Sequence, residues 1–252
     1  MSRGTVAGAT VLLLSAAAAV AGEPGKVSKE KITFKGKERV YVLLVPKGIA
    51  PEKKVPLIVT LHGSGQDPEP YVSAWKDLAE KEKIVVVGPA SEDSIHWASP
   101  ADGPLLLHDI LEQVAAKVPI DGRRVVLFGH SAGAVFALQM AALESEYFAA
   151  AAAYAGSIDP KYFNLFDYAT RKIPYLIVIG TKDRIFPLDE VRATRDALKS
   201  RGFPVEYVEI PGQTHNYLAS AKEINAKAWE FFLKNPLPSD AKYTVYWDPA
   251  GK

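Results

Sequence analysis

The chain of 252 residues contains no cysteine. This absence excludes disulfide bonds, thiolate metal sites and a cysteine nucleophile. An excess of one charge is also lacking, because 30 lysines and arginines stand against 29 aspartates and glutamates. No basic patch interleaved with aromatic residues indicates binding to nucleic acid. The apolar fraction of 48% is that of an ordinary globular protein, and the length suffices for one large core.

Long hydrophobic runs are scarce, and the most evident one lies near the N terminus. Val11–Val20 is apolar, but it is short and rich in alanine, which argues against a membrane span. Arg3 precedes this run, and Ala19-Val20-Ala21 offers the small residues of a cleavage site. We predict that residues 1–21 are a signal peptide and that the chain is secreted or periplasmic, with no stable membrane span after cleavage.

Strand-like and helix-like segments alternate along residues 22–252, which we predict to form a single domain with a tail from about residue 236. The predicted strands are Ile32–Phe34, Val40–Val45, Leu57–Leu61, Ile84–Val87, Arg124–Phe128, Ala149–Tyr154, Tyr175–Ile179 and Val205–Val208. The predicted helices are Trp75–Glu82, Leu105–Lys117, Ala134–Leu143, Leu188–Arg201 and Ser220–Lys234. This alternation predicts an α/β fold with a mostly parallel sheet of about eight strands and a ligand site at their carboxyl ends.

The pentapeptide Gly129-His130-Ser131-Ala132-Gly133 joins the strand Arg124–Phe128 to the helix Ala134–Leu143. A serine on a sharp turn between a strand and a helix is the context of a nucleophile elbow. Glycines two residues before and after the serine relieve crowding and tolerate unusual dihedral angles. We predict that Ser131 is the nucleophile and that the N–H of Ala132, at the positive end of the helix, faces a developing oxyanion. The alternative is a structural turn.

His215 is the candidate base, because it alone of the five histidines follows Ser131 and it lies in a loop after the last strand. The third member of a triad must be an acid at another strand end, where it orients the imidazole. Asp183 meets this condition, since it follows the strand Tyr175–Ile179. Asp189 is the alternative, although it stands at the start of a helix, where acids are common.

A second oxyanion donor is expected from the glycine-rich loop Leu61-His62-Gly63-Ser64-Gly65, which follows a central strand. Its form matches the His-Gly-x-Gly pattern of the second oxyanion loop in hydrolases that have a nucleophile elbow. We favour the N–H of Ser64 as the donor, with the N–H of Gly63 as the alternative. A plain turn is the structural alternative for the whole loop.

The order Ser131, Asp183, His215, together with the early His-Gly-Ser-Gly loop, resembles the α/β-hydrolase superfamily from about residue 31 to residue 234. The resemblance implies an α/β-hydrolase fold without a large lid domain. It also implies a serine hydrolase that cleaves carboxylic esters through an acyl-enzyme, without a cofactor. The substrate class implied is a small-molecule or polymer-linked ester.

The loop Leu61–Gly65, the run Trp75-Lys76-Asp77-Leu78-Ala79 and the aromatic Trp97 are similar to small secreted esterases. These belong to the polyhydroxybutyrate-depolymerase and feruloyl-esterase group and to the phospholipase/carboxylesterase type. One position departs from the depolymerase pattern, because Ala134 stands where that group commonly has glycine. This departure, with the lack of cysteine, argues against a polymer of hydroxybutyrate as the substrate.

His96, Trp97 and His130 are the candidate substrate-pocket residues, each with ordinary packing as its alternative. The segment 157–173 is too short for a large lid, and its aromatic side chains either pack on the body or form a wall beside the pocket.

A metal site is not expected, because Asp102 and Asp109 lack a third convergent ligand, and we interpret Asp109 as a helix-surface or structural acid. Two other functions remain open at this point. They are a serine peptidase of the same fold and a non-catalytic binding module built on it.

Overall fold

The computed structural model describes residues 23–243. The predicted signal peptide and residues 244–252 of the tail lie outside the described residues. The strands are β1 Val27–Phe34, β2 Lys37–Leu44, β3 Val55–Leu61, β4 Val85–Pro89, β5 Ile120–His130, β6 Ala151–Tyr154, β7 Tyr175–Gly180 and β8 Val205–Ile210. The α-helices are α1 Pro68–Ser73, α2 Lys76–Glu82, α3 Pro104–Ala115, α4 Ala132–Leu143, α5 Leu188–Ser200 and α6 Ala221–Lys234.

All eight strands belong to one sheet, in the order β1-β2-β4-β3-β5-β6-β7-β8. Strand β2 runs antiparallel to both of its neighbours, and each of the other adjacent pairs is parallel. The predicted α/β fold is therefore confirmed. Each helix within residues 23–243 is too short or too polar to cross a membrane.

The middle of the sheet is apolar on both faces, as expected for parallel strands covered by helices. Every residue of β4 is buried, and β3 is buried except at Pro56. The alanine-rich β6 is buried throughout, and its small side chains leave room for α4 to pack close to the sheet. Helix α4 is itself buried on nearly all sides, so the turn that precedes it is held in the core of the protein.

The segment between β6 and β7 forms a 3₁₀ helix, Pro160–Tyr168, rather than a lid domain. Phe166 is fully buried, and its ring packs edge-on against Tyr175 and Phe203. Phe163 and Phe166 thus pack onto the body, while Tyr162 and Tyr168 stay half exposed on the surface.

The described part of the tail also packs on the body. The N–H of Leu237 donates to the carbonyl of Arg123 at 2.8 Å, and the N–H of Lys242 donates to the carbonyl of Glu146 at 3.0 Å. The position of this segment was not predictable from the sequence, because its contacts depend on residues far away in the chain.

Candidate active site

Ser131 lies between β5 and α4 with φ +56° and ψ −123°, a conformation that a non-glycine residue seldom adopts. The neighbouring glycines have a different role from the one expected, since neither has a positive φ. A Cβ at Gly129 would collide with the carbonyl of Gly133, and a Cβ at Gly133 would collide with the carbonyl of Leu61. The glycines are therefore needed for close backbone approach, and the unusual dihedral angles belong to the serine itself.

Ala134, the departure from the depolymerase pattern, is completely buried beside this turn. A Cβ added to Gly156 would lie only 2.6 Å from the methyl group of Ala134. Gly156, on the facing segment after β6, thus leaves the room that the methyl group of Ala134 occupies.

Asp183 and His215 meet at the carboxyl end of the sheet. Asp183 follows β7, its side chain is fully buried, and its Oδ2 lies 2.8 Å from Nδ1 of His215. The Oδ1 atom accepts hydrogen bonds from the backbone N–H groups of Ile185 and Phe186, at 2.8 and 3.0 Å. Both carboxylate oxygens are occupied, and Nδ1 of His215 is the nitrogen that carries the proton when it donates to this carboxylate.

Asp189, the alternative acid, is far more exposed. Its side chain is 94% exposed and forms an ion pair with Arg192 one turn later on α5, at 3.0 Å. This is the behaviour of an acid in the first turn of a helix. The structure therefore brings Asp183 to His215 and leaves Asp189 on the surface.

A cavity of about 360 Å³ opens beside Ser131. Its apolar side chains are Ile95, Trp97, Val135, Phe136, Ile185 and Phe186. Ser64, His96, Ala132 and Gln139 complete the lining, so both predicted oxyanion residues lie at this cavity. The hydrophobic wall comes from the loops after β4 and β7 and from α4, and none of the aromatic residues in the segment 157–173 lines it.

Trp97 is fixed in the wall of the cavity. Its indole N–H donates to the carbonyl of His62 at 2.9 Å, and its ring stacks on Phe136 at 5.0 Å between centroids. His96 stands at the rim, with a side chain that is 71% exposed. Both residues therefore border this cavity, but only Trp97 is held in place by buried contacts.

Asp102 anchors the loop that carries His96 and Trp97. Its buried carboxylate pairs with Arg39 at 2.5 Å and accepts the backbone N–H groups of Glu92 and Ala98 at 2.8 and 2.9 Å. Asp109 is exposed, and its carboxylate lies 3.6 Å from the half-buried side chain of its neighbour His108. Among residues 23–243, no group of three or more histidine, aspartate or glutamate side chains is arranged to hold a metal ion.

The Gly63 and Ser64 backbones face different partners. Burial raises the pKa of the Tyr71 hydroxyl to about 12, and a hydrogen bond from the Gly63 backbone opposes this increase. The backbone of Gly63 thus lies beside the Tyr71 hydroxyl, whereas Ser64 lines the cavity beside Ser131.

His130 does not lie where the pocket prediction put it. Its imidazole is buried, it is not among the residues of the cavity beside Ser131, and its Nε2 lies 2.8 Å from the carbonyl oxygen of His215. The ring instead lies among those of Tyr71, Tyr154 and Tyr217, beside the segment that carries His215. Burial lowers the pKa of His130 to about 4.

Tyr71 and Tyr154 are residues near the site that the sequence did not single out. The hydroxyl of Tyr71 lies 2.7 Å from Nδ1 of His130, and that of Tyr154 donates to the carbonyl of Thr214 at 2.7 Å. Tyr154 is the last residue of β6, the strand next to β5. Its position at a strand end was the feature of the sequence that could have indicated a place near the site.

Comparison with known proteins shows the family to which the chain belongs. Residues 96–235, more than half of the chain, match the dienelactone hydrolase family. A bifunctional acetylxylan esterase/xylanase from Neocallimastix patriciarum is 30% identical over 160 residues, which are 62% of this chain and 23% of that protein. Poly(3-hydroxyalkanoate) depolymerase C from Paucimonas lemoignei is 33% identical over 125 residues, 44% of this chain and 30% of that one. The chain thus spans less than a third of either relative.

Solved structures agree with the fold. A thermostable esterase superposes with a TM-score of 0.65 at 22% identity, covering 83% of this chain and 63% of that one. A fluorophosphonate-binding serine hydrolase from Staphylococcus aureus gives 0.69 at 16% identity, with 84% and 99% covered. The poly(3-hydroxybutyrate) depolymerase LpqC from Bordetella parapertussis gives 0.63 at 19% identity, with 81% and 90% covered. These similarities establish an α/β-hydrolase fold.

Proposed function

Because the chain belongs to the dienelactone hydrolase family, we propose that it hydrolyses carboxylic esters through an acyl-enzyme on Ser131, with His215 as base and Asp183 as the acid that orients it. The observation that carries the proposal is the 2.8 Å contact between the fully buried Asp183 carboxylate and Nδ1 of His215. A serine in a strained turn at the same end of the sheet supports it. Strain of this kind clusters at functional sites.

The mechanism follows from the roles of these groups. Oγ of Ser131 attacks the ester carbonyl carbon while Nε2 of His215 takes the hydroxyl proton, and Asp183 stabilises the imidazolium that forms. The carbonyl oxygen becomes an oxyanion, which accepts hydrogen bonds from the N–H groups of Ser64 and Ala132. His215 then gives its proton to the leaving alkoxide, and an acyl-serine remains. A water molecule, deprotonated by His215, attacks the acyl carbon and releases the acid and free Ser131.

The cavity favours an ester with a flat, apolar group. Its volume of about 360 Å³ exceeds what an acetyl group fills, and the stacked Trp97 and Phe136 present an aromatic surface beside Ser131. Among the similar structures is a ferulic acid esterase, and an aromatic acyl group suits these walls. We therefore propose an aromatic acyl ester as the substrate class, with the alcohol side directed to the open rim of the cavity.

An extracytoplasmic location is part of the proposal. It is supported by the charged, apolar and small-residue regions of residues 1–21, which have the order of a signal peptide. The N-terminal sequence of the protein recovered from a secreting host should begin at Gly22.

The proposal is tested by Ser131→Ala, assayed on p-nitrophenyl esters with acetyl and aromatic acyl groups. We expect kcat to fall by about 10⁴- to 10⁶-fold, because removing the nucleophile disables all three residues together. Ser200→Ala, on a surface turn of α5, is the matched control. A fluorophosphonate probe should label the wild type and not the Ser131→Ala variant.

Two results would contradict the proposal. Ester hydrolysis that survives in Ser131→Ala excludes Ser131 as the nucleophile. Faster cleavage of peptide amides than of esters indicates a peptidase, and an unlabelled, inactive wild type indicates a binding module.

A further inference from the structure

Three successive backbone carbonyls leading to the candidate base are each held by a hydrogen bond. The carbonyl of Gln213 accepts the backbone N–H of Lys182 at 2.8 Å. The carbonyl of Thr214 accepts the hydroxyl of Tyr154 at 2.7 Å, and that of His215 lies 2.8 Å from Nε2 of His130. We call residues 213–215 the base segment. Two of these three carbonyl contacts come from side chains.

The two side-chain donors are neighbours because of the register between β5 and β6. His130 and Tyr154 are the last residues of these parallel strands and lie opposite each other. Side chains at paired positions project from the same face of a sheet. Their polar atoms are therefore placed to contact two successive carbonyls of one extended segment.

The contact with the His215 carbonyl determines which nitrogen of His130 carries the proton. A carbonyl oxygen only accepts, so Nε2 of His130 must donate to His215. This leaves Nδ1 as an acceptor, and the hydroxyl of Tyr71, 2.7 Å away, has one proton to share between this nitrogen and Oε1 of Gln66. Tyr71 in turn contacts the Gln66 side chain and the Gly63 backbone. The contacts form a continuous chain from the oxyanion loop to the base segment.

Aromatic rings enclose His130. The centroids of Tyr71, Tyr154 and Tyr217 lie 5.8, 5.8 and 5.7 Å from the centroid of its imidazole. Burial also raises the pKa of Tyr154 to about 12, so its hydroxyl keeps its proton at any working pH. Hydrogen bonds between buried groups are stronger than in water, and they restrict the position of their partners.

From these contacts we infer that His130 and Tyr154 are positioning residues that hold the base segment and so fix the His215 imidazole. The inference rests on the proposed role of Ser131 and His215. Asp183 holds the ring of His215 at Nδ1, while His130 holds its backbone at the carbonyl. Neither positioning residue lines the cavity beside Ser131. Their loss should therefore lower kcat and leave KM nearly unchanged.

The test uses a matched pair of substitutions at His130 in the full chain. The amide nitrogen of glutamine occupies nearly the place of Nε2, whereas that of asparagine corresponds to Nδ1. We expect His130→Asn to lower kcat at least tenfold and His130→Gln to stay within about threefold of wild type, because a base displaced by about 1 Å costs on the order of 100-fold. KM should change less than twofold in both variants.

Tyr154→Phe is the second arm, because it keeps the ring and removes only the hydroxyl. We expect kcat to fall about fivefold or more with KM unchanged, while far-UV circular dichroism shows a wild-type fold. This variant decides the question if His130→Asn does not fold.

The inference is overturned if Tyr154→Phe keeps the wild-type kcat or if His130→Gln loses as much activity as His130→Asn. Ser131→Ala is assayed beside them to separate the two proposals. Activity that persists in Ser131→Ala means that the proposed function has failed. An inactive Ser131→Ala with fully active Tyr154→Phe means that only the positioning role has failed.

Discussion

The two sides of Ser131 are built in different ways. Behind it, the base segment is held by buried polar groups, with contacts of 2.7 to 2.8 Å to His130 and Tyr154. In front of it, the cavity is lined mainly by apolar side chains, and Ile95 and Ile185 at its rim are 54% and 62% exposed. The polar side is directional and enclosed, whereas the apolar side is open.

Under the proposed function, the groups behind Ser131 serve the reaction, and the groups in front of it bind the substrate. Directional hydrogen bonds hold a reacting group in one position, while apolar contacts accept many ligand shapes at similar cost. Substitutions behind Ser131 should therefore act on kcat, and substitutions at the rim should act on KM.

Asp183 is the residue that belongs to both sides. One of its oxygens contacts His215, and the other accepts the N–H groups of Ile185 and Phe186, which form part of the cavity wall. The loop after β7 thus connects His215 to the cavity wall. A substitution at Asp183 can therefore affect both kcat and KM.

The largest effect is expected at Asp183. Asp183→Asn keeps an oxygen for Ile185 and Phe186 but turns an N–H toward His215, which favours the wrong tautomer of the imidazole. We expect kcat to fall by about 10⁴-fold, the size of effect seen for this change in serine hydrolases with a triad, while KM stays near its wild-type value. Steady-state kinetics on an aromatic acyl ester provides the measurement.

Asp183→Ala sharpens the result, since it also removes the acceptor for the cavity wall and should raise KM. Asp189→Asn is the matched control and should behave as wild type, because that side chain is on the surface. A loss of activity in Asp189→Asn comparable to that in Asp183→Asn would refute the assignment.

An intermediate effect is expected on stability at low pH. The pKa of His130 is lowered by burial from 6.5 to about 4, so the unfolded chain binds this proton more tightly than the folded chain. The corresponding stability is fully present above pH 6.5 and is lost as the pH falls through 4. The loss amounts to about 3 kcal/mol in the free energy of unfolding.

Urea denaturation of the wild type and of His130→Gln at several pH values between 7 and 3.5 measures this contribution. It is the difference between the two proteins in how steeply the free energy of unfolding falls with pH. The wild type should lose more stability than the variant over this range. His96→Gln, at the exposed rim, controls for the removal of an imidazole. Parallel curves for the wild type and His130→Gln would show that His130 is not buried as a neutral ring.

The smallest effect is expected at the rim. Ile185→Asp places a charge beside the apolar wall and should raise KM for an aromatic acyl ester about threefold to tenfold, equivalent to roughly 1 kcal/mol of apolar contact, with little change in kcat. Leu233→Asp is the matched control, because Leu233 is also an exposed apolar residue but lies on α6. Equal KM values for the wild type and Ile185→Asp would remove the rim from substrate recognition.

Much of the fold was predictable because its signals are local. The strand-turn-helix pattern around Ser131 placed the elbow, and the alternation of strands and helices implied a parallel sheet. The preference for Asp183 over Asp189 also rested on a local rule, since one ends a strand and the other begins a helix. The Asp183–His215 contact agrees with that choice.

His130 is the predicted pocket residue that does not line the cavity beside Ser131, and the reason is geometric. A sequence shows that His130 is next to Ser131, but it does not show to which side of the sheet each side chain projects. Nor does it show the register that sets His130 beside Tyr154, because that pairing depends on how two distant strands align.

The sequence by itself determined the order of the eight strands, the position of the serine turn and the absence of thiol chemistry, since each depends on residue types and their spacing. Only the tertiary structure decided which groups face the cavity and which hold the base segment. Contacts such as that of His130 with the His215 carbonyl join residues 85 positions apart, and packing of the whole sheet brings them together.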